Sequence, residues 1–199
     1  MATTEATLYE IKQGAAWITL NRPENRNALS ATLVTELYDH ILESNENDQV
    51  RSIVITGTGP AFCAGADLKS PPGQIADGGT RAVHYADVLT EIIDSPKHVI
   101  AAINGAAFAG GLRLVGAADI VITDEDVQFS FSEVRIGVIP AVISVVCLPK
   151  LGMHHGMKLI VTGERFDGRR AVEMNFAHRA VPCLLYTSPS PRDATLSRM

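Results

Sequence analysis

The chain has 199 residues, of which 46% are apolar and 20% charged, and its formal net charge is −5 at pH 7. This composition is typical of a globular protein with a sizeable core. The acidic balance and the lack of a basic block argue against nucleic acid or an anionic membrane surface as a partner. Cys63, Cys147 and Cys183 follow no metal-ligand spacing, and the N-terminus lacks the apolar core of a secretory signal. We therefore expect reduced thiols, no metal site and a cytoplasmic location.

The first part of the chain predicts two strands, a helix and a third strand. Residues 6–11 and 15–20 have strand composition and flank a short turn that ends in Gly14. Ser30 is then predicted to cap a helix, because apolar residues recur at helical spacing after it. They are Leu33, Val34, Leu37, Ile41 and Leu42. Residues 52–56 are β-branched and predict a strand.

The rest of the chain alternates helices and strands. A stretch rich in Pro and Gly, residues 70–80, predicts a loop. Helices are predicted over 83–93, 110–117, 141–149 and 153–161, with a last short helix capped by Asp167. Strands are predicted over 99–103, 120–123, 127–129 and 177–181. Strands that alternate with helical segments favour an α/β architecture.

Two stretches of small residues follow predicted strands. One is the loop at residues 59–69, and the other contains the Gly110-Gly111 pair that opens a helix. Glycine permits close backbone approach, and the start of a helix offers unpaired N–H groups. Each loop could therefore donate one N–H group to a single oxyanion. The alternative is that both loops are tight packing turns.

Four segments together resemble the crotonase (enoyl-CoA hydratase/isomerase) superfamily. In chain order they are LNRPENRNALS, FCAGADLK, AINGAAFAGGL and SEVRIGVIP, and the resemblance covers residues 8–182. It implies an α/β fold that is a spiral of repeated β-β-α units, with a crotonase-like core at residues 1–182. Residues 183–199 do not resemble the C-terminal helices through which family members form homo-trimers or hexamers. We interpret them as an atypical tail outside the native family sequence, and do not expect that assembly.

The resemblance also implies roles for individual residues. The backbone N–H groups of Ala66 and Gly110 match the oxyanion hole that holds a thioester carbonyl as an enolate forms. Glu133 matches the carboxylate that transfers a proton at the neighbouring carbon, in a pocket that we expect to be walled by Phe129, Phe131, Ile136 and Ile139. It could also be a helix-start glutamate paired with Arg135. Coenzyme A would enter as part of an acyl-CoA substrate, with no prosthetic group. Its candidate contacts are Arg22, Arg26, Ala64, Gly65, Asp67, Leu68 and Lys69, whose charged members could instead be solvated surface residues.

Arg113 departs from the family pattern, because two-glutamate hydratases carry a second glutamate at this position. Hydration needs proton transfer from water and to carbon, whereas one carboxylate suffices to move a double bond. The SEVRIGVIPAVIS segment nevertheless resembles a hydratase-like subgroup. We therefore favour an enoyl-CoA hydratase of fatty acid metabolism, then an enoyl-CoA isomerase, then a non-catalytic acyl-CoA binder. Arg113 could bind a carboxylate on the acyl chain or point outward from its helix.

Overall fold

The computed structural model describes residues 5–67 and 83–182. Within these ranges the strands are β1 (Thr7–Lys12), β2 (Ala15–Leu20), β3 (Ser52–Gly57), β4 (Ala61–Cys63), β5 (His98–Ile103), β6 (Ala106–Phe108), β7 (Ile120–Asp124), β8 (Phe129–Ser130), β9 (Arg165–Phe166) and β10 (Arg179–Val181). The helices are α1 (Ala31–Glu46), α2 (Tyr85–Ile93), α3 (Gly110–Ala117), α4 (Ala141–Thr162) and α5 (Gly168–Glu173). Leu68, Lys69, the predicted loop at 70–80 and the tail from Cys183 lie outside the described residues.

The strands form two sheets that the chain visits alternately. The first sheet has the order β1-β2-β3-β5-β7-β10, and all its pairs are parallel except β1 with β2. The second has the order β4-β6-β8-β9, with β4, β6 and β8 parallel and β9 antiparallel to β8. Each of the pairs β3–β4, β5–β6 and β7–β8 therefore gives one strand to each sheet. This alternation is the spiral of repeated β-β-α units that the family resemblance implies, and the α/β fold class is confirmed.

The buried face of α1 packs on the first sheet, as its apolar spacing predicts. Leu33, Leu37 and Ile41 have no exposed surface, and the Ser30 hydroxyl accepts a hydrogen bond from the Leu33 N–H at 3.3 Å. This side-chain acceptor satisfies one of the unpaired donors of the first turn. The helix therefore begins where the sequence places its cap.

A cluster of four buried aromatic rings lies at the end of β8. The rings belong to Phe129, Phe131, Phe166 and Phe176. Their centroids lie 5.3–6.3 Å apart, the range in which aromatic pairs attract each other. The cluster fixes the backbone at Phe131, two residues before Glu133.

Several predicted boundaries differ from the structure. The strand predicted at 127–129 is β8, and α2 starts after His84, whose N–H donates to the Asp87 carboxylate at 2.9 Å. The two helices predicted at 141–149 and 153–161 are the halves of α4, interrupted at Gly152 with φ 68° and ψ 161°.

In residues 5–67 and 83–182, no helix has both the length and the apolar character needed to cross a bilayer.

Candidate active site

The loop after β4 and the first turn of α3 are in direct contact. Gly65 has a φ of 94°, and a Cβ atom on it would lie 3.0 Å from the backbone nitrogen of Gly110. A Cβ atom on Gly110 would in turn lie 3.4 Å from the backbone nitrogen of Ala66. The two amides that the sequence singles out, far apart along the chain, are therefore neighbours in space.

Backbone hydrogen bonds hold this contact from several directions. The Leu29 N–H donates to the Gly65 carbonyl at 2.8 Å, and the Ala64 N–H donates to the Arg26 carbonyl at 3.0 Å. On the other side, the Ala109 N–H donates to the Ser130 carbonyl at 3.1 Å. The position of the two amides is thus set by main-chain contacts, which do not depend on side-chain rotamers.

Both amides are available to a ligand. Gly110 is the first residue of α3, where helix N–H groups have no acceptor within the helix. Neither the Gly110 nor the Ala66 N–H has an acceptor in the part of the chain that the structure describes. Ala109, directly before Gly110, has φ 44° and ψ −113°, a backbone conformation that strains any residue except glycine. Unpaired donors beside a strained residue are typical of functional sites.

Glu133 lies in a short 3₁₀ helix, Ser132–Ile136, that follows the aromatic cluster. Its exposed fraction is 4%, and neither carboxylate oxygen has a hydrogen-bond partner among the described residues. The alternative ion pair with Arg135 is not formed, because Arg135 donates to the Gly163 carbonyl at 2.9 Å. Burial of a carboxyl group without a partner is costly, so Glu133 is a candidate for a group that acts on a ligand.

The apolar walls predicted around Glu133 are only partly correct. Phe129 and Phe131 are fully buried, as expected. Ile136 and Ile139, however, are 63% and 83% exposed, so the prediction is wrong for them. Ile136 is the last residue of the 3₁₀ helix, and Ile139 lies in the segment that leads from this helix to α4.

Tyr85 contacts both Arg113 and the carbonyl group of Gly110. The guanidinium carbon of Arg113 lies 5.9 Å from the centroid of the Tyr85 ring, and the Tyr85 hydroxyl donates to the Gly110 carbonyl at 2.7 Å. Burial raises the pKa of Tyr85 well above its usual value, a nearby Cys63 adds to this, and the Arg113 charge opposes it. Tyr85 therefore remains a neutral donor. The sequence gives no signal for this role, because it depends on how α2 packs on α3.

The charges of Glu133 and Arg113 both influence the pKa of the buried Cys147 thiol. Its thiol donates to the Leu112 carbonyl at 3.4 Å. Burial raises the pKa of this thiol, and Lys150, Glu133 and Arg113 follow as smaller influences, of which only Glu133 raises it further. The charges of Glu133 and Arg113 thus both reach one thiol on the α4 side of α3.

The predicted coenzyme A contacts fall into two groups. Ala64 and Gly65 belong to the backbone loop described above. Arg22 forms an ion pair with Asp67, at 3.5 Å between Nη1 and Oδ2, while Arg26 is exposed and has a φ of 53°. Leu68 and Lys69 fall outside the described ranges.

The structure also describes the surroundings of Cys63 and of the side chains that could bind a metal ion. Cys63 is a fully buried free thiol, and burial raises its pKa to about 12, which fits a packing role. In the described residues, no group of three or more His, Cys, Asp or Glu side chains could hold a metal ion. The chemistry that the site offers is therefore two amide donors, a buried carboxyl group and a nearby guanidinium group.

Comparison with known proteins gives a consistent result. The enoyl-CoA hydratase/isomerase family model matches residues 10–184. The chain is 36% identical over 198 residues to a putative enoyl-CoA hydratase/isomerase, YngF, of Bacillus subtilis, covering 97% of this chain and 76% of the relative. A putative enoyl-CoA hydratase of Thermus thermophilus is 32% identical over 180 residues, 88% of this chain and 71% of the relative.

A solved structure shares the fold as well. The crystal structure of a putative enoyl-CoA hydratase/isomerase (crotonase) from Legionella pneumophila superposes with a TM-score of 0.82 at 31% identity. The superposition covers 98% of this chain and 82% of that one. The chain therefore belongs to the enoyl-CoA hydratase/isomerase family, within the crotonase superfamily.

Proposed function

We propose that the protein hydrates the double bond of an enoyl-CoA thioester. The proposal depends on one observation, the contact that brings the unpaired N–H groups of Ala66 and Gly110 together beside α3. The buried, unpartnered carboxyl group of Glu133 supports it, as do the relatives named enoyl-CoA hydratase. Coenzyme A is part of the substrate in this proposal, and no prosthetic group takes part.

The two amides stabilise negative charge on the thioester oxygen. As water adds to C3, the electron pair of the double bond moves toward the carbonyl and an enolate forms. Ala66 and Gly110 each donate one hydrogen bond to this oxygen. Loss of one such donor typically raises the barrier by about 2.7–4 kcal/mol. Because the donors belong to the backbone, they need no reorganisation during the reaction.

Glu133 transfers the proton. Its carboxylate accepts a proton from the attacking water, and the resulting acid delivers that proton to C2, which collapses the enolate and restores the carbonyl. A single carboxyl group thus serves as base and then as acid. Arg113 cannot share this work, because a guanidinium group does not lose its proton in proteins. It remains a positive charge beside the reacting atoms.

Arg113 also gives a specific reason to consider a second reaction. A single carboxyl group is sufficient to move a proton from C2 to C4 and so to convert a 3-enoyl into a 2-enoyl thioester, and transfer from C4 to C2 gives the reverse reaction. In this isomerisation the same amides hold the same enolate. A 3-enoyl substrate that gains the absorbance of a conjugated double bond, with no 2-enoyl hydration, would favour this alternative. Binding of acyl-CoA without either reaction would favour a non-catalytic binder.

The experiment measures the absorbance of a conjugated enoyl-CoA during incubation with the protein. We expect the absorbance to fall, and Glu133→Gln to slow this by about 10²- to 10⁴-fold, the usual contribution of a general acid–base group. The matched control is Glu173→Gln, which removes a surface carboxylate paired with Arg170. Unchanged turnover in Glu133→Gln, with normal circular dichroism, would contradict the proposal.

The cellular setting follows from the same proposal. We place the reaction in the cytoplasm and in fatty acid metabolism, and the free, buried thiols of Cys63 and Cys147 support a reducing compartment. The expectation that this chain does not form the family's trimer or hexamer stays a prediction. A measurement of mass in solution tests it.

A further inference from the structure

Arg113 is a cation without a partner. Its Nε atom is buried and has no hydrogen-bond acceptor, and none of the ion pairs or hydrogen bonds among the described residues involves its guanidinium group. Within the described part of the chain, the guanidinium group lies over the face of the Tyr85 ring. A guanidinium group has five donors, and burying a donor without an acceptor costs free energy. The described residues therefore leave the buried Nε–H of Arg113 without an acceptor.

Tyr85 fixes the guanidinium group close to the first turn of α3. The tyrosine hydroxyl is anchored on the Gly110 carbonyl, and its ring lies under the guanidinium group. Side chains on a helix tilt toward its N-terminus, and residues three apart lie on one face. Arg113 is three residues after Gly110, so its side chain extends along the face that carries the Gly110 N–H. The distance between the two residues along the helix axis is about 4.5 Å.

The carboxyl group of Glu133 does not neutralise Arg113. Both of its oxygens are buried and without partners, so no ion pair joins the two residues in the described structure. Helix α3, which carries Arg113, packs on α4, and α4 also packs on the 3₁₀ helix that carries Glu133. Among the described residues, the Nε of Arg113 and both carboxylate oxygens of Glu133 thus have no hydrogen-bond partner.

We propose that Arg113 is a specificity-determining residue that binds a carboxylate on the acyl chain. The preferred substrate is then the CoA thioester of a short unsaturated dicarboxylic acid. This inference rests on the proposed function, because that function places the thioester oxygen at Gly110. With the oxygen there, a carboxylate a few carbons along the acyl chain reaches the guanidinium group one helical turn away. A bidentate guanidinium–carboxylate pair is among the strongest charge-assisted contacts in proteins.

The test compares two thioesters of equal length, glutaconyl-CoA and 2-pentenoyl-CoA. We expect the native protein to favour glutaconyl-CoA by roughly 10- to 100-fold in kcat/KM, as expected for one hydrogen-bonded charge pair. Arg113→Gln should reduce that ratio to about one, and Arg113→Lys should retain part of it, because lysine keeps the charge but loses the bidentate geometry. The matched control is Arg165→Gln, which also removes a guanidinium group placed over an aromatic ring, that of Phe108, and should keep the native ratio.

A binding measurement separates this inference from the proposed reaction. Calorimetry with the saturated pair glutaryl-CoA and pentanoyl-CoA requires no turnover. If glutaryl-CoA binds more tightly and Arg113→Gln removes the difference, the inference holds even where neither enoyl-CoA reacts, and only the proposed reaction fails. If the native protein binds both thioesters equally, or the preference survives in Arg113→Gln, the inference is overturned even where hydration is observed.

Discussion

The two halves of the candidate site are built in different ways. The amide side, residues 63–66 and 108–111, consists of main-chain contacts around the buried glycines Gly65, Gly110 and Gly111, with Ala66 exposed at its edge. The carboxylate side, residues 132–140, holds one buried carboxyl group among neighbours that are largely exposed. Ile136 and Ile139 are the clearest examples, since 63% and 83% of their surface is open to solvent.

This difference shows which parts of the site are fixed by packing. On the amide side, glycines allow close backbone approach, so the donors are held from several directions. On the carboxylate side, the aromatic cluster anchors the start of the 3₁₀ helix, and the hydrogen bond from Arg135 to Gly163 anchors its end. The amide side should therefore tolerate substitution poorly, whereas the carboxylate side should tolerate change at its exposed positions.

Gly111→Ala should have the largest effect on stability. Its Cβ atom would lie 2.3 Å from the Cys63 carbonyl oxygen, and a backbone atom cannot turn away. We expect a loss of about 3 kcal/mol in the free energy of unfolding. The control is Gly156→Ala on α4, where the same 2.3 Å contact would be with the mobile Cδ2 of Leu148. Equal losses in urea titrations of the two variants would contradict the proposed rigidity of the amide side.

Gly110→Ala should reduce activity more than stability. The new methyl group would lie 3.4 Å from the Ala66 nitrogen and 2.9 Å from Cδ1 of Leu29, a side chain that can rotate. We expect enoyl-CoA turnover to fall by about 100-fold, the loss typical of one oxyanion donor. Adding Leu29→Ala relieves the contact with Leu29 but leaves the methyl group between the amides. Recovery of full turnover in the double variant would show that the amides do not bind the reacting oxygen.

Ala109→Gly should stabilise the protein. At φ 44° and ψ −113°, alanine is strained and glycine is not, and relief of this strain outweighs the greater flexibility of glycine in the unfolded chain. We expect a gain of about 1 kcal/mol in thermal or urea unfolding. Ala107→Gly in β6, where the backbone needs no glycine, is the control and should destabilise instead. A loss of stability in Ala109→Gly would mean that this residue is not strained.

The smallest expected effect concerns alkylation of the buried thiols, which should not occur in the native protein. Burial raises the pKa of Cys63 to about 12 and also raises that of Cys147, so both thiols are protonated at pH 8 as well as shielded. We expect iodoacetamide to leave both peptides unmodified in native protein and to label them in urea. Mass spectrometry checks this. Labelling of Cys147 alone would show that the carboxylate side opens while the amide side stays closed.

Local signals in the sequence predict the elements whose ends are determined locally. Asp167 caps α5 through a hydrogen bond from the Arg170 N–H at 2.8 Å, as Ser30 caps α1. In contrast, β4 and β6 have three residues each and are strands only because they pair with each other. A segment that short carries no alternation, so the second sheet could not be predicted from residue patterns.

The residues of the candidate site also fall into those that local sequence signals predict and those that depend on tertiary packing. Gly110 could be singled out because a glycine at a strand-to-helix junction indicates close backbone approach, and the loop that contains Gly65 because small residues follow a predicted strand. Tyr85 could not, because its two contacts depend on the packing of α2 against α3. Ile139 was expected to wall the pocket of Glu133, yet it is 83% exposed, because its surroundings in the fold determine its exposure.

The double role of Tyr85 constrains any attempt to engineer this site. Its ring face is electron-rich and lies under the group at position 113. Introducing a glutamate there, to imitate the two-carboxylate hydratases, would set a negative charge against that face. The hydroxyl of the same ring supports the Gly110 carbonyl, so replacing Tyr85 would in turn loosen the α3 start. A redesign toward two carboxylates must therefore supply a new support for that carbonyl at the same time.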